Sequence, residues 1–340
     1  MWRDSVFGID IGSYSIKAAV VKKSGRGVAT IEQIAYEVLP EEARGGTVGS
    51  VAVRRVVQNL VRKVGKGQDR VALSIPTSSV ILKTIDVDRG LSESALEGEV
   101  QMELVNFVPF PLEQVYADYI SLGKSAENPD KEEIFVVASR RDLVDNLADA
   151  VDVKSIRKKE VEVESFALGQ LIEQVKGKRY RETYAIIDIG YKSTVVSIFK
   201  GGKILFNREQ QIGGYHLTEA IAEAGGMSMS EAEEVKLTNI HSVSGTVLSA
   251  YLDTLNEQIG LALEFFSSTN AEDHIETVYI TGGGSLLPGL LDSLKEAQPS
   301  YKMMLLPIGQ EIKIGKKTNG LKQQEVGAYA AVVSGLAMRK

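Results

Sequence analysis

A stretch of this chain occurs twice. "DIGSYSIKAAVVKK" at 10–23 returns as "DIGYKSTVVSIFKG" at 188–201, an offset of 178 in a sequence of 340 residues. Asp10, Ile11, Gly12, Ser15 and Lys22 are matched in register by Asp188, Ile189, Gly190, Ser193 and Lys200. Each copy follows an apolar, β-rich run, "SVFGI" or "YAIIDI", and leads into another. Val6, Phe7 and Ile9 read as a buried strand before the first turn, and Ile16 to Val21 as its partner. A strand–turn–strand unit repeated at half-chain spacing predicts two related lobes. Asp, Gly and Ser suit a plain hairpin corner. They equally suit a loop whose backbone N–H groups face an anion, with a carboxylate beside it for a metal.

Between the copies, "VALSIP" (71–76) and "SVILKTIDV" (79–87) read as strands. Ser94 with Glu97 forms a candidate capping box. Leu96, Val100 and Leu104 then follow at helical spacing, and Pro109 and Pro111 end the helix. "EIFVVAS" (133–139) is another strand, Leu143, Leu147 and Val151 mark a second helix stripe, and "KSAENPDKEE" (124–133) is a surface loop. Residues 80–155 thus read as a small α/β insert in the first lobe. In the second half, 215–240 is helical with a joint at Gly225-Gly226. A long helix over 247–268 buries Leu248, Leu252, Leu255, Ile259, Leu263 and Phe266. "TVYITGGGSLLPGL" (277–290) is a strand entering three glycines and then a helix. Alternating strands and helices in both halves predict an α/β protein.

Composition removes several function classes. Net charge is −6 and the basic clusters (Arg54-Arg55, 154–159) are short, which argues against nucleic acid. The absence of cysteine excludes disulfides and thiolate chemistry, and His216, His241 and His274 lack zinc-ligand spacing. Neither a signal peptide nor a run of ~20 apolar residues is evident, so the expected location is cytoplasmic, with the membrane reached only through a partner. There is no G-x-x-x-x-G-K-[ST] and no G-x-S-x-G, and "GGGSLLPG" fails the G-x-G-x-x-G spacing.

Two Asp-x-Gly hairpins and a Gly-Gly-Gly-Ser turn remain, and they suit a polyphosphate. Such a ligand needs backbone donors on more than one side, and Gly and Ser let the backbone approach closely. Lys17, returning on the second strand of its hairpin, can set an ammonium on a phosphate. Asp10 and Asp188 can hold Mg²⁺ through its retained waters. The turn at Gly282-Gly283-Gly284 can receive an adenine ring.

In order, "DIGSYSIK", "VEVESFALGQL", "DIGYKST", "ITGGGSLLPG" and "EVGAYAAVVSGLA" resemble the first phosphate loop, connecting helix, second phosphate loop, adenosine loop and second connecting helix of the actin-like ATPase superfamily. The resemblance covers nearly the whole chain. It implies two ribonuclease-H-like lobes with ATP and Mg²⁺ in the cleft. Asp10, Gly12, Ser13 and Lys17 take the first phosphate-loop roles. Asp188, Gly190 and Thr194 take the second, and Lys192 stands beside them without a matched role. Asp188 is also expected among the catalytic groups. Glu164 matches the residue that positions the attacking water, although a carboxylate at a helix start is also favoured by the dipole. Gly282, Gly283, Gly284 and Ser285 match the adenosine loop, where Ser285 could equally cap the next helix. Gly214, Glu233 and Lys236 match residues that hold the nucleoside. Glu233 and Lys236, at i and i+3, could also be a surface ion pair.

The insert at 80–155 resembles the relocated subdomain shared by the cell-division protein FtsA and the PilM family of type IV pilus assembly proteins. "EGEVQMELVNFVPFPLEQVYADY" (97–119) and the ending "GAYAAVVSGLAMRK" are similar to the PilM family, whereas an FtsA relative would be expected to continue into an amphipathic membrane-binding helix. Type II secretion and competence relatives share parts of these motifs. The implied subdivision is 1–79 with 156–182, and 80–155, in the first lobe. The second lobe comprises 183–212 with 270–340, and 213–269. The resemblance implies an ATP-binding adaptor with weak or no ATPase activity, peripheral to the inner membrane. Its expected partner is the N-terminal cytoplasmic peptide of PilN, within a larger assembly containing PilN, PilO and an assembly ATPase, in which the chain itself could form a ring or other homo-oligomer. Phe107, Val108 and Phe110 suit either peptide docking or the core of the insert. An FtsA-like divisome role and a polymerising ATPase or kinase are the alternatives.

Overall fold

The computed structural model describes residues 5–23, 29–46, 48–125, 128–177, 180–308, 312–318 and 320–338. Ala126 and Glu127 of the surface loop and the last two residues of the C-terminal motif lie outside them. The chain divides into two compact units, residues 1–74 with 150–340, and residues 75–149.

The larger unit contains two sheets built to one plan. The first hairpin pairs β1 (Ser5–Ile11) with β2 (Ser15–Lys23), and β3 (Ala29–Val38) extends it antiparallel. On the other side of β1 lie the parallel strand β4 (Arg70–Ile75) and then β8 (Lys158–Val163), giving the order β3-β2-β1-β4-β8. The second copy opens β9 (Thr183–Ile189), β10 (Thr194–Lys200) and β11 (Lys203–Gln210). With β12 (Ile275–Thr281) and β13 (Met303–Leu305) it gives β11-β10-β9-β12-β13. The duplicated sequence is therefore a duplicated sheet. Equivalent corners put Asp10 at the end of β1 and Asp188 at the end of β9.

One element departs from the sequence-based subdivision. β14 (Lys313–Lys317), assigned with 270–340 to the second lobe, pairs parallel with β3 and edges the first sheet. The last two helices are α9 (Gln323–Tyr329) and α10 (Ala331–Ala337), and α10 also packs on β1, β2 and α4 (Glu164–Lys176). The chain thus returns to the first lobe after β13. One core spans both sheets through these helices: Ala19, Val21 and Ile31 join Leu168, Leu171, Tyr184, Phe199, Tyr279 and Leu336. The outer face of the first sheet carries α1 (Val51–Val64), whose Val53, Val57, Leu60 and Val61 are buried and whose start is capped by Ser50. The outer face of the second is covered by α5 (Gly214–Gly225), α7 (Gly245–Thr269) and α8 (Leu290–Ala297). Leu255, Ile259, Leu263 and Phe266 are buried there as the periodicity predicts, and Leu248 and Leu252 pack at its margin.

The smaller unit is an antiparallel sheet, β5 (Val80–Asp88), β7 (Lys131–Arg140) and β6 (Val115–Lys124), in the order β5-β7-β6. α2 (Glu93–Phe107) buries Val100 and Leu104 against Ile85, Ile134 and Val136. Its cap is Ser92, whose hydroxyl accepts from Ala95 N, and not Ser94: the chain turns helical two residues earlier than the capping-box spacing indicated. In α3 (Arg141–Ala150) Leu147 is buried while Leu143 faces solvent. Val108 belongs to the core of this unit and Phe107 packs against it; Phe110 is exposed beneath the Arg140 guanidinium. No helix among the described residues is long and apolar enough to cross a membrane.

Candidate functional site

The first hairpin sets Asp10 directly across from Lys17. Lys17 Nζ donates to Asp10 Oδ2 at 3.1 Å, and Ser74 Oγ at the end of β4 donates to Oδ1 at 2.8 Å. In the second hairpin the residue opposite Asp188 is Val195, so Asp188 lacks the facing ammonium that Asp10 has. Glu164, the first residue of α4, adds a third carboxylate. Burial works against the Lys17 charge, but Asp10, then Asp188 and Glu164, outweigh it and hold the ammonium above its usual range. Burial, reinforced by Asp10 and only partly countered by Lys17, raises Asp188 to about 6. Burial followed by Asp10 and Asp188 pushes Glu164 well above the ordinary carboxylate range. With all four ionised the cluster would carry two uncompensated negative charges, a donor set suited to a divalent cation. No three Asp, Glu or His side chains among the described residues converge on one ion position. Coordination through water fits that arrangement better than an all-protein cage.

The glycines explain how a ligand could reach these groups. A Cβ on Gly12 would stand 2.8 Å from Lys17 Nζ. Gly282 has φ +83°, and a Cβ there would overlap Asp188 Oδ1 and the Ile189 carbonyl. One on Gly284 would overlap the Ile189 side chain. The glycine-rich turn therefore interlocks with the second hairpin, backbone against backbone, as only glycine permits. Gly283 is more open, its nearest neighbour being the Tyr329 ring at 3.6 Å. Tyr329 in turn stacks on Tyr36 at 5.6 Å.

Gly190 N donates to Ser193 O to close the second corner, and its carbonyl accepts from Gly214 N at 3.0 Å, tying α5 to that corner. Behind it α6 (Met229–Thr238) brings in Glu233 and Lys236. These form a buried pair at 2.7 Å, not a surface one. Lys236 Nζ also donates to Gly214 O and Thr218 Oγ1, at 2.8 and 2.7 Å, and Thr218 donates to Glu233. Burial, only partly offset by Glu233, lowers the Lys236 pKa. Two expected ligands are committed elsewhere. The Thr194 hydroxyl is fully buried and donates to Ile212 O at 2.7 Å, and the Ser285 hydroxyl donates to Gly282 O at 2.6 Å. Both fix loop shape. Ser13 contributes its carbonyl to Gly45 N at 2.7 Å.

Three residues that the sequence reading passed over belong to this neighbourhood. Tyr14 and Tyr191, one from each hairpin, meet with ring centroids 5.0 Å apart, and Arg44 lies over Tyr14 at 4.9 Å. The available signal was an aromatic residue inside each otherwise polar turn.

The family described as type IV pilus assembly protein PilM matches residues 8–340. The chain belongs to the PilM family. The structure of a PilM-PilN type IV pilus biogenesis complex superposes with TM-score 0.81 at 24% identity, covering 98% of this chain and 97% of that one. Ethanolamine utilization protein EutJ from Carboxydothermus hydrogenoformans superposes with TM-score 0.52 at 14% identity, over 98% of this chain and 89% of that one. In sequence, EutJ of Salmonella typhimurium is 23% identical and EutJ of Escherichia coli 22% identical, each over 120 residues. Those matches cover 35% of this chain and span only 40% of the length of the EutJ proteins. The fold is that of the actin-like ATPases, as the ordered motifs implied.

Proposed function

We propose that this PilM-family chain is a nucleotide-binding adaptor of a type IV pilus machine, taking ATP with Mg²⁺ between its two hairpins and binding the cytoplasmic N-terminal tail of PilN. The nucleotide half rests on one observation: the duplicated corners bring Asp10 and Asp188, with Glu164, within electrostatic reach of the Lys17 ammonium. In this reading Lys17 and the backbone of Gly12 and Ser13 hold the phosphates, and Gly190 closes the second corner so that they can approach. Asp10 and Asp188 hold the ion through water. Gly282, Gly283 and Gly284 receive the base beside Tyr329, and Gly214, Glu233 and Lys236 the ribose. Thr194 and Ser285 shape the loops without touching the ligand. Glu164 would position the attacking water, and hydrolysis in this reading is slow or absent. The adaptor half is supported by family membership and by the likeness to a PilM solved with PilN. The membrane would be reached through that partner, as part of a larger inner-membrane complex.

Calorimetric titration with the PilN N-terminal peptide, with and without Mg-ATP, tests both halves. Saturable one-to-one binding is expected, with an affinity shift of about tenfold between the two conditions. Failure of the peptide to bind in either condition would remove the adaptor role. Peptide binding that ignores Mg-ATP, with no heat from nucleotide alone, would leave an adaptor that is not a switch.

A further inference from the structure

Tyr14, Arg44, Tyr191 and Lys192 form one connected set that joins the two hairpins, and nothing in the phosphate or nucleoside roles above requires it. The segment after β3 is tied to the first hairpin by Leu39 N donating to Tyr14 O at 2.9 Å and Gly45 N to Ser13 O at 2.7 Å. Gly45, with φ +67°, lies against the Lys192 side chain of the second hairpin. Arg44 reaches the same way, its guanidinium over the Tyr14 ring and its charge countering part of the upward push that burial and Glu233 give the Tyr191 hydroxyl. From the other side Tyr191 packs edge-on against Tyr215 at 5.6 Å, Lys192 Nζ lies 3.7 Å over Tyr215, and Lys236 Nζ lies 5.6 Å from the Tyr191 centroid. The tyrosines and Arg44 are only partly buried, so they do not serve as lobe core. Burial, and then the nearby Glu233 carboxylate assigned above to the ribose, push the Tyr14 hydroxyl up to about 12. A ribose held by Glu233 would therefore sit beside Tyr14.

We propose that Tyr14, Tyr191 and Arg44 form a clasp across the two hairpins whose opening sets the rate at which nucleotide enters and leaves. The entry role rests on the nucleotide reading; the clasp itself does not. Aromatic and cation–π contacts weaken sharply when the faces separate. In this proposal nucleotide entry and exit both require the Tyr14–Tyr191 contact to open.

Two measurements on the full chain decide it. Without nucleotide, chemical unfolding of Tyr14→Ala, Tyr191→Ala and the double variant should be non-additive, the double losing less than the two singles combined. Additive losses would overturn the clasp. Stopped-flow mixing with a fluorescent ATP analogue should show both association and dissociation accelerated by about tenfold in Tyr191→Ala, the factor for losing about 1.4 kcal/mol of contact, with a much smaller change in Kd. Tyr14→Phe, which keeps the ring and so the clasp, should leave both rates near those of the wild type. Wild-type rates in Tyr191→Ala would overturn the gating role. No binding by the wild-type protein would overturn the nucleotide reading and the gating role together, and the unfolding cycle would still judge the clasp.

Discussion

Asp188→Asn is expected to make the nucleotide-free protein more stable at neutral pH while abolishing its stabilisation by Mg-ATP. Burial raises the Asp188 pKa from 3.8 to about 6 in the folded protein. The protonated form therefore favours the fold. Its contribution is fully present below about 3.8 and is lost as pH rises through about 6. At pH 7.5 the ionised group is a burden worth up to about 3 kcal/mol, and its residual solvent contact trims this to about 1–2 kcal/mol. Asparagine removes the charge and relieves Glu164, whose upward shift Asp188 shares in causing. Lys17 stays charged throughout this window, because its shift is upward from an already alkaline value. Unfolding at pH 4.5 and pH 7.5 should show the variant gaining on the wild type between the two. With Mg-ATP at a hundred times its Kd, the wild type should gain about 2.7 kcal/mol and the variant essentially none. An equal nucleotide response in both proteins would remove Asp188 from the site, and a variant less stable at pH 7.5 would mean that the carboxylate is already compensated by the protein.

How far the sequence foretold this site follows from which interactions are local. The two hairpins were legible because strand alternation and Asp-x-Gly corners are fixed within about ten residues, and duplication made each vouch for the other. The sheet orders follow the same repeat. β14 was not legible: "KIGKK" has no apolar alternation, and its place beside β3 is set by a partner far back in the chain. α1 was passed over despite a clear signal, with Ser50 as cap and Val53, Val57, Leu60, Val61 and Val64 at helical spacing. Spacing alone allowed Glu233 and Lys236 to be a surface pair; burial under α5 and the hydrogen bonds to Thr218 and Gly214 come only from the packing of two helices. Thr194 and Ser285 show the converse. Residue type marked them as ligands; it did not foretell that each hydroxyl donates to a backbone carbonyl, Ile212 O and Gly282 O.

Gly335→Ala should destabilise the protein by about 2 kcal/mol or more, although alanine is the better helix former. α10 is buried along its whole length, and at Gly335 it approaches α4 so closely that a Cβ would run into the Ala167 carbonyl oxygen. The opposite side offers no retreat, since a Cβ on Gly8 of β1 would already stand 2.7 Å from the Val333 carbonyl. Overpacking against backbone costs about 1–3 kcal/mol or more, and the helix preference for alanine returns at most about 1 kcal/mol. Gly98→Ala is the control. That residue is on the exposed side of α2 with nothing near its Cβ position, so the same substitution should stabilise by up to about 1 kcal/mol. Denaturant unfolding of the two variants should therefore move in opposite directions. Gly335→Ala carries a second consequence, because the helix that it displaces begins at Glu164. A shift of α4 moves that carboxylate relative to Asp10 and Asp188, so stabilisation by Mg-ATP should fall even under conditions where the variant remains folded. A destabilised variant with undiminished nucleotide response would show that α4 can move without carrying Glu164 out of the cluster.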